Sequence, residues 1–192
     1  ATQRNAMQCM YVCMCVCVYM CMCIYVYVCM CVCVYVYMYV CKFVHTHTNF
    51  DYQTVSLPLL FVLHGYTGRA PSIREYSGFD QIADEERFIV VYVQGTTDQF
   101  GNTGWNVNVV ASFLGVDDVG FFKALIKYFK ASYNIDSNKI FSSGMSLGGF
   151  MSYRLACELE EINSIGSVTG SMAGYYQCNP PKKSSIIHLH GM

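Results

Sequence analysis

The chain has 192 residues, with 12 Lys plus Arg against 13 Asp plus Glu and a net charge of −1. That length suits one domain with a real core and is too short for two comfortable ones. The charge balance excludes a basic field for holding nucleic acid, and an apolar fraction of 54 % beside 13 % charged residues excludes a disordered chain.

The chain opens on a stretch unlike the rest. Ten of the 12 cysteines lie between Cys9 and Cys41, where every odd position is Cys or Tyr and every even one Met, Val or Ile. A strand repeats every second residue, but its two faces differ in polarity, and here both are apolar. The genetic code accounts for the rule: T alternating with a purine yields codons for Cys or Tyr in alternation with codons for Val, Met or Ile. His45-Thr46-His47-Thr48 reads in the same way as a CA repeat. Residues 1–48 are therefore set apart as a translated dinucleotide repeat of low complexity, and residues 49–192 as the part to read for function.

Three other readings of the tract compete with this one. Residues 9–41 exceed the roughly 20 apolar residues of a membrane helix, so hydropathy alone assigns a spurious span, and a membrane is a partner only if the tract is really translated. A cleaved signal peptide has a shorter apolar part, about 7–15 residues, and a small-residue cleavage site. Zinc sites space their cysteines by about two to four residues around turn formers, whereas this tract has no Gly, Pro, Asp or Asn; no metal is assigned.

From Asn49 onward 10 basic and 13 acidic residues describe a mildly acidic domain. Leu57 to Leu63 is a continuous apolar run ending at His64-Gly65, the mark of a strand buried on both faces of a parallel sheet. Ser72 is expected to cap a helix running to about Arg87, with Ile73, Tyr76, Phe79, Ile82 and Ala83 at helical spacing. Phe88 to Val93 is a second buried strand. A long loop from Gln94 to about Val116 holds the sole Trp, Trp105, and loops of that length are often functional. Asp117 or Asp118 caps the next helix, which buries Val119, Phe122, Leu125, Ile126 and Phe129 and turns Lys123, Lys127 and Lys130 mainly to solvent. Asn134 to Asn138 reads as a turn, Lys139 to Ser143 as a third strand, Leu147 to about Glu160 as a helix, and Ile162 to Val168 and Ser185 to Leu189 as the last strands. Alternation of this kind predicts a mostly parallel sheet with helices on both faces.

Gly144-Met145-Ser146-Leu147-Gly148 is a G-x-S-x-G sequence, with an apolar strand before it and an apolar-periodic helix after it. A sharp strand-to-helix turn lifts the serine hydroxyl clear of the sheet at a helix N-terminus, where free N–H groups favour developing negative charge. Ser146 is thus the candidate nucleophile; the alternative makes it a helix cap in a Gly-rich turn. In a hydrolase with such an elbow, one oxyanion donor follows the nucleophile and the other comes from an early strand-to-helix loop. That assigns the N–H groups of Leu147 and of Tyr66, in His64-Gly65-Tyr66-Thr67-Gly68, against the alternative of a plain Gly turn.

Leu63-His64-Gly65, Trp105-Asn106, Val116 to Phe121, the elbow at Ser146, Tyr153 to Glu158 and His188-Leu189-His190-Gly191 occur in that order. Together they resemble the polyhydroxybutyrate depolymerase and feruloyl esterase group of α/β-hydrolases, which is related to carbohydrate esterase family 1. The resemblance runs from about Leu57 to Met192. It implies an α/β-hydrolase fold, incomplete at both ends, and a secreted serine esterase. Such an enzyme acts on aromatic-acid, acetyl-polysaccharide or hydroxyalkanoate esters and needs no cofactor. Under it Trp105 and Asn106 are candidates to line the acyl pocket, although a lone Trp is as often a packing residue. An extracellular setting permits a disulfide between Cys157 and Cys178; two separate buried thiols are the alternative.

The departures from the group matter equally. Its catalytic aspartate follows the strand that ends in the late His-Gly pair and its histidine comes later still, so both are expected beyond Met192. His64, His188 and His190 are read as structural, and Asp117 and Asp118 as capping and loop-holding residues. A serine without its base is weak, since loss of the whole triad leaves roughly 10³–10⁴-fold over water, and the chain as it stands is expected to be essentially inactive. Two other classes stay in view: a catalytically inactive binding module that keeps the elbow pocket, and a membrane-tethered protein anchored by the tract.

Overall fold

The structure, a computed structural model, describes residues 43–45, 54–174 and 177–191. Residues 1–42, where the Cys/Tyr repeat and the rival readings of it fall, lie outside the described residues.

Six strands form one sheet: β1 (Phe43–His45), β2 (Leu57–Leu63), β3 (Ile89–Val93), β6 (Ile135–Met145), β7 (Ser164–Val168) and β8 (Ser185–Leu189). Their spatial order is β1-β3-β2-β6-β7-β8. Every pairing is parallel except β1 with β3, which is antiparallel with Phe43 opposite Tyr92. β1 precedes residue 48, so the sheet takes in three residues of the stretch set apart on sequence. A separate two-stranded ribbon, β4 (Thr96–Thr97) with β5 (Thr103–Gly104), stands in the long loop.

The period-two alternation of the central strands sorts the core into two layers. Leu59, Phe61 and Leu63 of β2 and Ile89, Val91 and Val93 of β3 point to one face, against α3 (Asp118–Ser132) and α4 (Leu147–Glu158). Leu60, Val62, Val90 and Tyr92 point to the other, against α1 (Ala70–Ser77) and α2 (Phe79–Glu86). Helices therefore cover both faces, as the alternation of strands and helices predicts. The first layer is held in part by Phe61, whose ring meets Phe122 at 5.6 Å and Phe129 at 6.2 Å, both edge to face. Such pairs add about 0.5–1.5 kcal/mol beyond burial.

Two elements depart from expectation. The helix expected from Ser72 to Arg87 is two helices, parted at Gly78, whose φ of 65° closes α1 through a bond from its N–H to the Arg74 carbonyl. Arg69, not Ser72, is the N-cap of α1. Arg74 braces the break by donating to Asp80 at 2.7 Å, and the Tyr92 hydroxyl donates to the same carboxylate at 2.7 Å. Tyr76 and Ile82, expected on an apolar stripe, are 75 % and 44 % exposed because the break turns the stripe.

The second departure is β6, which begins at Ile135 and so absorbs the turn expected at Asn134 to Asn138. Leu57 pairs with Ile135, but Leu59 pairs with Ile140. Between them lies Pro58, which has no N–H to give the ladder, and β6 bulges out opposite it. The turn chemistry survives inside that bulge, where the Asn138 N–H donates to Asp136 at 2.9 Å.

Candidate functional site

β6 ends at Met145 and α4 begins at Leu147, so Ser146 alone makes the turn between them. Its backbone sits at φ 52°, ψ −120°, a conformation that side-chain-bearing residues rarely hold and that costs of order 1–3 kcal/mol. Surrounding bonds enforce it. The Ser146 N–H donates to the Val168 carbonyl at 2.8 Å, and its own carbonyl accepts the first helical bond of α4, from Phe150, at 3.1 Å. The hydroxyl makes no capping bond, and Ser146 is exposed while Leu147, Gly148 and Gly149 are buried. Ser146 is thus the N-cap residue of α4 by position, with a side chain that does no capping.

Close approach of chain segments makes the turn possible. A Cβ on Gly148 would stand 2.3 Å from the Leu63 carbonyl oxygen, so only glycine lets the first turn of α4 lie against the end of β2. A Cβ on Gly65 would meet Ser146 Cβ at 3.3 Å, which places the loop after β2 directly beside the serine.

Tyr66 follows in that loop and is 44 % exposed, its ring edge-on to Phe113 at 6.3 Å. Among the described residues its N–H has no hydrogen-bond partner. The N–H of Leu147 precedes the first helical bond of α4, in the turn where a helix leaves its donors uncommitted. The loop is clamped from outside: Thr67 N–H donates to Thr103 at 2.8 Å, and the Thr103 hydroxyl donates to the Gly68 carbonyl.

Trp105 and Asn106 go elsewhere than a pocket wall. Trp105 is fully buried, packs on His64 and Phe122 with ring centroids at 5.1 and 5.6 Å, and donates from Nε1 to the His64 carbonyl at 2.9 Å. Asn106 staples its loop. Its N–H donates to Asp118 at 2.6 Å, its amide nitrogen donates to Val116 at 2.8 Å, and its carbonyl accepts from Arg154. Both side chains, buried in this structure, hold the loop Gln94 to Val116 to the core.

Asp118 is 1 % exposed, and burial raises its pKa to about 6 despite the Asn106 N–H and the Arg154 cation, which favour the carboxylate. Asp117 caps α3 by accepting from Gly120 N–H at 2.8 Å, so the two aspartates divide the capping and loop-holding parts.

None of His64, His188 and His190 is hydrogen-bonded to Ser146. His64 is buried with both ring nitrogens engaged. His188 accepts from or donates to the Tyr153 hydroxyl at 2.9 Å, and its ring stacks on that of His190 at 5.5 Å. Sequence reasoning missed Gln94 and Thr103, whose contacts with this site reach across 30 and 35 residues. No local pattern signals bonds of that span.

Cys157, near the end of α4, is joined to Cys178 in the segment between β7 and β8, with their Cα atoms 5.3 Å apart. No helix among the described residues is long and apolar enough to cross a membrane.

No family profile matches the chain. It is 27 % identical over 143 residues to a bifunctional acetylxylan esterase/xylanase from Neocallimastix patriciarum, covering 70 % of this chain and 19 % of that protein. It is 31 % identical over 118 residues to feruloyl esterase B from Neurospora crassa, covering 60 % and 39 % respectively. A poly(3-hydroxyalkanoate) depolymerase from Paucimonas lemoignei is 26 % identical over 122 residues, or 63 % of this chain and 29 % of its own. Among solved structures, an acetyl xylan esterase from Aspergillus awamori superposes with a TM-score of 0.57 at 20 % identity, over 74 % of this chain and 52 % of that one. The chain thus spans well under half the length of these curated relatives. Their names are those of the esterase group that its motifs resemble, and its fold is that of the α/β-hydrolases.

Proposed function

We propose that this chain carries the nucleophile and oxyanion half of a secreted serine carboxylic-ester hydrolase. The observation that carries the reading is Ser146 itself: a strained, exposed serine at a strand-to-helix turn, free of any capping bond and packed on the loop that bears Tyr66. Ser146 Oγ attacks the acyl carbon, and the carbonyl oxygen becomes an oxyanion facing the N–H groups of Tyr66 and Leu147. The alcohol leaves with a proton, and water then releases the acid from the acyl-serine. The relatives named for acetylxylan, feruloyl and poly(3-hydroxyalkanoate) esters support a substrate of that range. The Cys157–Cys178 bond supports an oxidising, extracellular location.

His64 and His188 are engaged elsewhere, so with no base bonded to Ser146 among the described residues the serine turns over slowly. The test is exposure of the full chain to p-nitrophenyl acetate, read by peptide mass spectrometry and by nitrophenolate release. We expect one acetyl group on Ser146, formed slowly and absent from Ser146→Ala. No acetylation of Ser146 overturns the nucleophile assignment. Ser146-dependent turnover at ordinary esterase rates, above about 1 s⁻¹, overturns the slow turnover.

A further inference from the structure

We infer that His64 is a positioning residue: its ring locks the Gly65–Tyr66 peptide so that the Tyr66 N–H stays turned toward Ser146. This rests on the oxyanion assignment above and adds the group that aims it.

The argument begins with what surrounds the ring. The Gly95 N–H donates to His64 Nε2 at 2.9 Å, and the Gln94 amide nitrogen donates to the same atom from 3.1 Å. An atom that accepts from two donors carries no proton, so the single proton of the neutral ring sits on Nδ1. Nδ1 lies 2.7 Å from the Gly65 carbonyl oxygen and donates to it. The Gly68 N–H donates to that oxygen as well, at 3.0 Å.

That carbonyl belongs to the same peptide unit as the Tyr66 N–H. In a trans peptide the two point in opposite directions, so fixing the oxygen on one side fixes the N–H on the other. The turn bond from Gly68 alone leaves the peptide plane free to rock, whereas two donors from different directions do not. Trp105 packs against the ring, with centroids 5.1 Å apart and planes tilted by 36°, and donates from Nε1 to the His64 carbonyl. Gln94 is steadied by accepting from the Ala70 N–H at 3.0 Å.

A second proton on the ring has nowhere to go. It would stand on Nε2 facing the Gly95 N–H and the Gln94 amide, in a buried place where the charge acting on the ring among the described residues is the cation of Arg69. Burial, and secondarily Arg69, hold the His64 pKa below its ordinary value, while the Gly65 carbonyl acts the other way. Protonation thus breaks the Gly95 and Gln94 bonds and releases the ring that aims the donor.

The test uses the full chain and two isosteres. An asparagine amide nitrogen falls near Nδ1, and a glutamine amide oxygen near Nε2. His64→Gln keeps the acceptor for Gly95 and loses the donor to Gly65; His64→Asn does the reverse. We expect His64→Gln to slow acetylation of Ser146 by about 100-fold, in the range of a lost oxyanion donor, and His64→Asn to recover about tenfold of that loss. Equal rates in the two variants overturn the proposal. Nitrogen NMR of the unmodified chain decides independently of folding in the variants. We expect the ring proton on Nδ1 at neutral pH and a Tyr66 amide resonance that shifts in step with acid titration of that ring. A proton on Nε2, or a Tyr66 amide indifferent to the titration, overturns it too. If Ser146 is never acetylated the esterase reading fails alone, and the NMR result still judges His64.

Discussion

Two buried ionisable side chains pull the stability of this domain in opposite directions as pH changes. Asp118 has its pKa raised from 3.8 to about 6, so the unfolded chain gives up that proton first. The stability it supports is complete below about pH 3.8 and is lost as pH rises through about 6. His64 has its pKa lowered from 6.5, so its share is complete above that value and is lost as pH falls through the lower folded one. Asp118→Asn removes the first effect and leaves the second. Between about pH 4.5 and about pH 7.5 the variant should gain roughly 2 kcal/mol of stability relative to the unmodified chain. Urea unfolding at the two pH values measures the difference, and an unchanged pH dependence would mean that Asp118 titrates normally. Neither role was legible from residue type alone: the sequence marks Asp118 as a candidate cap, but only the fold brings the Asn106 N–H to it from 12 residues away.

At the scale of elements, α4 and β2 form the joint on which the site depends. Gly148 permits their contact, so Gly148→Ala should cost about 3 kcal/mol, the upper end for overpacking, because the obstructing atom is backbone and cannot swing aside. Denaturant unfolding checks it. A loss under about 0.5 kcal/mol would show that the two elements part easily. The elements themselves were largely readable. Leu57 to Leu63 and Phe88 to Val93 are continuous apolar runs because their strands are buried on both faces, and both strands stand where expected, the second starting at Ile89. The elbow was legible because a strand, a glycine-flanked serine and a helix follow one another without a gap. The helix break at Gly78 was not, since apolar residues keep helical spacing across it. The bulge in β6 was not, because its cause is Pro58 on a neighbouring strand.

For the molecule as a whole, the one disulfide among the described residues ties the back of α4 to the segment leading into β8. It closes a span of 21 residues, so Cys178→Ser should lower stability by about 3 kcal/mol. Thermal unfolding of the unmodified chain with and without reductant provides the same comparison, and a shift seen in neither experiment would assign the bond no structural part. β8 lies at one edge of the sheet and shows solvent its apolar side chains, with Ile187 68 % and Leu189 59 % exposed. The crosslink therefore also secures the neighbourhood of this exposed edge strand. Functional details beyond the elbow were hard to read at this scale, because nothing local tells whether a lone Trp in a long loop lines a pocket or packs into the core, as Trp105 does.

The bond at Cys157 has a mechanical meaning for Ser146. α4 is bolted at its far end by sulfur and at its near end by glycine-to-backbone contact with β2. A rod fastened at both ends can neither slide nor rotate to let a contorted residue at its tip unwind. The strain at Ser146 is consequently built into the folded chain, present whether or not anything is bound there.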